Sequence, residues 1–227
     1  MNMNKSFNKK ILIPALVLSM LFAAPAYASE KTNELPQKEA VSAESQSTAF
    51  TLGEIKDGAY ENSFFNVRFP VLKGMKFDKD GKLTELGKKA SDPAATEAVI
   101  AQINEHTPVI LANATTSKSS VFTVIATFVG KNVTDHYDEK SIVESKLKQV
   151  VSDYDSVGGF TDLTTTIDTI SFLGEEHPSL SVTGKVDGVE FKQRFLCLTK
   201  DGYVMLFALA GTNDSPFSMI DQATKLY

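Results

Sequence analysis

The chain has 227 residues, a net charge of −5, one cysteine, no tryptophan and 15 phenylalanines. With only two arginines, Arg68 and Arg194, far apart in sequence, it lacks the clustered positive charge that nucleic acid or anionic lipid requires. A single cysteine, Cys197, excludes an intramolecular disulfide, so an ordinary hydrophobic core must carry the fold.

Residues 1–28 have the layout of a cleavable secretory signal. Lys5, Lys9 and Lys10 form a basic head, Ile11 to Ala24 an apolar run, and Ala26-Tyr27-Ala28 a site of small residues for a signal peptidase. The run is interrupted by Pro14 and is too short for a comfortable membrane span. No cysteine follows it, so the attachment site of a bacterial lipoprotein is missing. The lysine-rich head and Ala-x-Ala site are of bacterial type. Cleavage after Ala28 removes three lysines and no acid, taking the net charge from −5 to −8. The expected location is extracytoplasmic, secreted or at the cell envelope, with no membrane-spanning segment after cleavage.

Residues 29–55 are expected to be a flexible spacer. Up to about Ala49 they are Glu, Lys, Ser, Gln, Thr and Ala with almost no large apolar side chain, too little to offset the entropy of ordering. A single domain is expected over residues 56–227, its start falling between about Phe50 and Tyr60. Asn62 to Phe69 reads as one strand ended by Pro70. Met75 to Phe77 and Lys82 to Leu86 read as a hairpin around Asp78-Lys79-Asp80-Gly81. An EF-hand loop is excluded there, since Gly81 at its sixth position would put Lys76 first and Gly87 twelfth. Asp92-Pro93 predicts a helix start, followed by Ala95, Ala98, Val99 and Ile103 at helical spacing. Val109 to Ala114 reads as a strand.

Ser119 to Val129 is apolar on both faces, the pattern of a central strand. Residues 138–154 give the clearest helix, with Ile142, Val143, Leu147, Val150, Val151 and Tyr154 in one stripe and Glu144, Lys146, Lys148 and Asp153 opposite. The last third predicts four strands, 163–173, 180–186, 189–199 and 203–210. Asp187-Gly188 and Asp201-Gly202 turn the last three into a meander. Ser215-Pro216 opens a final helix. The expected fold class is α+β, an antiparallel sheet flanked by helices.

This layout resembles the PsbP-like group. Tyr60 to Val67 is similar to its opening strand. The stretches from His177-Pro178-Ser179-Leu180 to Asp187-Gly188, Gln193 to Leu198 and Asp201-Gly202-Tyr203-Val204 are similar to its closing strands. The resemblance spans about residues 60–227 and implies an α/β/α sandwich. It also implies an accessory or binding role, as in a photosystem subunit, a Ran-binding transport factor and bacterial envelope proteins. It transfers no functional residue.

Few residues invite chemistry. Asp135-His136-Tyr137-Asp138-Glu139 is the densest polar cluster, so Asp135, His136, Asp138 and Glu139 are the candidate binding residues. Their place at the start of a helix also suits capping and the helix dipole. Glu175-Glu176-His177 could chelate weakly, and His177-Pro178 more simply marks a turn before a strand. No zinc-hydrolase pair, nucleophile elbow or phosphate-cradling loop occurs, and no catalytic residue, metal site or cofactor is expected. Alternation places Cys197 on one face with Val189, Phe191 and Phe195, as a buried small hydrophobe. Three Asn-x-Ser/Thr sequons, at Asn113, Asn132 and Asn213, are expected to be chance occurrences. The reading is a non-enzymatic binding or accessory domain for a protein or envelope ligand. The alternatives are an enzyme of unrecognised type and a carrier of small apolar ligands.

Overall fold

The computed structural model describes residues 49–78, 81–87, 93–116, 120–136, 138–157 and 159–227. Three short strands come first: β1 (Glu54–Lys56), β2 (Ala59–Asn62) and β3 (Val67–Pro70). They pair in order as a small antiparallel sheet. Then follow β4 (Lys76–Phe77), α1 (Lys82–Gly87), α2 (Pro93–Asn104), β5 (Val109–Thr115) and β6 (Val121–Phe128). Next come α3 (Lys131–His136) and α4 (Glu139–Val157). The chain ends with β7 (Phe160–Phe172), β8 (Glu175–Val186), β9 (Val189–Lys200), β10 (Tyr203–Gly211), a 3-10 turn at Ser215–Phe217 and α5 (Ser218–Gln222).

Seven of these strands form one antiparallel sheet in the order β4-β5-β6-β10-β9-β8-β7. The expected α+β class with an antiparallel sheet is therefore what the chain builds. Alternation along β10 shows how the layers are shared. Met205, Phe207 and Leu209 belong to one buried cluster, and Val204, Ala208 and Ala210 to another. The first cluster includes Phe69 of β3, Val99 and Ile103 of α2, and Met219 and Ile220 of α5. The second includes Val143, Val150 and Tyr154 of α4. One face of the large sheet is thus covered by the small sheet with α2 and α5, and the other by α4. Burying so much apolar surface on both faces is the main source of stability.

The local departures from expectation have local causes. The single strand expected at Asn62–Phe69 is a hairpin. Residues 63–66 turn between β2 and β3, with Asn66 in the left-handed region at φ 54°. Phe64 and Phe65 in that turn are buried, so the apolar run continues through a turn rather than along one strand. The hairpin expected around residues 78–81 is not formed either. Lys82 to Gly87 is a helix, as the helix-forming Lys, Leu and Glu permit, and residues 79–80 lie outside the described residues. Asp92, the expected cap of α2, also lies outside them. Among the described residues Phe50, within the range expected for the start of the domain, already packs. Its ring stacks on Tyr203 at 4.1 Å, and Leu52 is buried.

Both Asp-Gly dipeptides make the expected tight turns. Asp187 and Gly188 have φ of 50° and 76°, and Asp201 and Gly202 have 49° and 87°, as a type I′ hairpin turn demands. At Gly202 a side chain is excluded twice over, since a Cβ would lie 2.5 Å from the Phe128 ring. The C-terminal residues close against the first hairpin. Asn66 Oδ1 accepts the N–H groups of Leu226 and Tyr227, its Nδ2 donates to the Tyr227 carbonyl, and Thr224 bridges to Arg68.

Candidate functional site

The cluster Asp135–Glu139 is dispersed by the fold. Asp135 is exposed on α3, and His136 ends that helix, its side chain outside the described residues, as is Tyr137. Asp138 is the cap of α4. Its Oδ1 accepts the Ser141 N–H at 2.8 Å and the Ser141 hydroxyl at 2.7 Å. The Ser141 N–H is the main cause that holds its carboxyl below the ordinary range. This is the geometry of an N-cap, where a carboxylate satisfies a donor that the helix leaves free.

Glu139 turns the other way, toward the sheet. Its Oε2 lies 2.7 Å from Nδ1 of His177 on β8, with side-chain exposures of 19% and 10%. The two residues fall in different polar clusters of the sequence, and the packing of α4 on β8 brings them together. The pairing of β8 with β9 runs from Ser179 to Val186 and stops there, so the first residues of β8 pair with β7 alone. The start of α4 meets the sheet in this interval. The His177 ring sits edge-on to Phe172 at 5.6 Å. The hydrogen bond to Glu139 raises the imidazole above its usual value; burial opposes this. Glu175 points elsewhere, to Lys225 Nζ at 2.7 Å, and that bond holds its carboxyl low.

Cys197 lies close by. Its Sγ is 3.9 Å from the Glu139 carbonyl oxygen, and its side chain is fully buried. Burial pushes the thiol well up, and the Glu139 charge adds to the effect. Phe191 and Phe195 share its cluster as expected, whereas Val189 of the same alternation is exposed. An acid, an imidazole and a thiol are therefore neighbours, but in a form unsuited to nucleophilic work, which needs an accessible thiolate. Among the described residues no group of three His, Cys, Asp or Glu side chains could hold a metal ion.

Two further polar contacts lie under the sheet's faces. Tyr154 of α4 donates its hydroxyl to Gln193 Oε1 of β9, both buried. Gln193 was the visible signal, a polar residue between Phe191 and Phe195 on the inward alternation. Asn113 accepts the Thr123 hydroxyl at 2.7 Å and donates to Asp78 at 2.7 Å. Its burial agrees with reading its sequon as chance. Lys146 departs from the solvent-facing side expected of it. Burial pushes its ammonium down to about 8, while Asp153 acts to raise it.

No family model and no curated protein matches the chain. Among solved structures it is similar to the cyanobacterial PsbP (CyanoP) of Synechocystis sp. PCC 6803. The identity is 12%, over 82% of this chain and 98% of that one, with a TM-score of 0.45. It is also similar to LpqN, involved in cell envelope biogenesis of Mycobacterium tuberculosis. There the identity is 9%, over 70% of this chain and 82% of that one, with a TM-score of 0.39. The first of these is a PsbP, the group that the sequence resembles, and the likeness is one of backbone arrangement alone.

Proposed function

We propose that the chain is an extracytoplasmic binding or accessory domain that acts on a protein or envelope ligand without chemistry of its own. The observation that carries this reading is the use of its reactive groups. Asp138 caps a helix, Glu139 and His177 bind each other across α4 and β8, and Cys197 is buried with a disfavoured thiolate. Asp138 thus serves the helix end, Glu139 and His177 hold the helix to the sheet, and Cys197 packs between them. Residues 1–28 support the location, and among the described residues no helix is long and apolar enough to cross a membrane. Residues 29–48 serve in this reading as the spacer between the signal and the domain.

Crosslinking of the secreted protein in its native envelope fraction is expected to give a discrete protein adduct. The mature N-terminus is expected at or near Ser29, and an intact N-terminus on extracellular protein would reject the signal. Fast labelling of native Cys197 by a thiol reagent at neutral pH would overturn the non-catalytic reading. It would favour the second reading, an enzyme built on the Glu139–His177 pair, to which the nearby thiol is the one specific pointer.

A further inference from the structure

The large sheet has two edges, and they are treated differently. The β4 edge is two residues long and carries Lys76. A short edge with a lysine is a usual safeguard against strand pairing. The β7 edge is 13 residues long and, among the described residues, pairs with β8 alone. From Thr164 to Phe172 its register with β8 is continuous, with the irregularity confined to Thr161–Thr164. This stretch, Thr-Thr-Thr-Ile-Asp-Thr-Ile-Ser-Phe, is rich in strand-favouring β-branched residues and contains no Lys, Arg or Pro. Its acids do not act as guards either. Asp168 is bound to Arg194 of β9 at 3.3 Å, and Asp162, in the irregular part, to Lys185 of β8 at 2.7 Å. Both charges are neutralised by inner strands, so the edge presents a row of backbone groups without a repelling field.

We propose that the β7 edge is the interface of a homodimer, in which β7 of one copy pairs antiparallel with β7 of a second to continue the sheet. The edge is complementary to itself. A two-fold axis at Ile167 sets Thr165 opposite Thr169 and Thr166 opposite Asp168, pairs that can exchange hydroxyl hydrogen bonds without opposing like charges. Side chains keep their faces in this register, so the α4 layers of the two copies fall on the same side. A partner strand from another protein would need to match the same neutral, threonine-rich edge, whereas a second copy matches it by symmetry.

The test is the mass of the purified protein by sedimentation equilibrium across concentration, for the wild type and for the variant carrying Thr165→Lys and Thr169→Lys, which sets lysine opposite lysine in this register. Thr169 is exposed and Thr165 half-buried on the edge strand, so the variant should keep its melting temperature at dilutions where the wild type is monomeric. The wild type is expected to reach twice the monomer mass, and the variant's dimer dissociation constant to rise about tenfold or more through like charge at the edge. Amide exchange along residues 164–172 is expected to slow with concentration in the wild type alone. A wild type that stays monomeric, or a folded variant that dimerises equally well, overturns the proposal. So does protection of these amides that is independent of concentration, which would mean that the chain covers its own edge.

Discussion

The two faces of the large sheet are stabilised in different ways. Under the small sheet, Phe69, Phe122, Phe172 and Phe207 form a wholly apolar group, with Phe69 stacked on Phe122 at 4.7 Å and on Phe207 at 5.1 Å. Under α4 the residues are mainly aliphatic and include polar contacts, Tyr154 with Gln193 and Glu139 with His177. The first face gains mainly from area and ring geometry, which tolerate exchange of apolar groups of similar volume, beside a buried polar group, the Tyr60 hydroxyl, which donates to the Leu52 carbonyl and accepts from Asn62 Nδ2. The second fixes the place of a helix, because the Tyr154 hydroxyl and the Glu139 carboxylate on α4 each meet one partner on the sheet.

The comparison predicts a graded set of losses. Phe207→Ala empties the centre of the aromatic group and is expected to cost about 3–5 kcal/mol in denaturant unfolding. A cost below 1 kcal/mol would show that the group is loosely packed. On the other face, Tyr154→Phe removes one oxygen and leaves Gln193 Oε1 without its donor, for an expected loss of about 1–3 kcal/mol. Adding Gln193→Leu should recover most of it, since both partners are then apolar. A double variant as unstable as the single one would mean that shape, rather than the hydrogen bond, matters there. Cys197→Ala should cost about 1 kcal/mol for a small cavity, and the wild-type thiol should label slowly when native and fully when denatured.

The smallest effect is the dependence on pH. His177 is raised in the folded state above its ordinary 6.5. The stability it gives is therefore complete below its unfolded value and is lost as pH rises through the raised folded one. Wild-type stability should fall over that interval relative to Glu139→Gln, which lacks the cause of the shift. Parallel pH curves for the two proteins would remove the Glu139–His177 bond from the account of this face.

Legibility followed the range of the interactions. β9, β10 and β8 from Leu180 onward were visible because Asp187-Gly188 and Asp201-Gly202 encode their own turns, whereas His177-Pro178, expected to be a turn, lies within β8. The helix at 138–154 was visible because its apolar stripe and its Asp138 cap lie within one segment. The turn at residues 63–66 was hidden because Phe64 and Phe65 are buried within it, so burial imitated strand. The α3 helix was hidden because its six residues are too few to show an apolar stripe, and Gly130 begins it by accepting the Val133 and Thr134 N–H groups. The candidate cluster was legible as residues and not as a site. Asp138 and Glu139 are neighbours in sequence that point to different partners, and the partner of Glu139 is 38 residues away on a strand.

The clamp at Asn66 joins residues 160 and 161 positions apart. Contacts of such separation form late, because the intervening chain must be ordered before they return any free energy. A chain emerging N-terminus first therefore presents β2 and β3 with neither Thr224 nor Leu226 to meet. The first hairpin waits on residues 224–227, so completion of the domain comes only after all of its strands have been made.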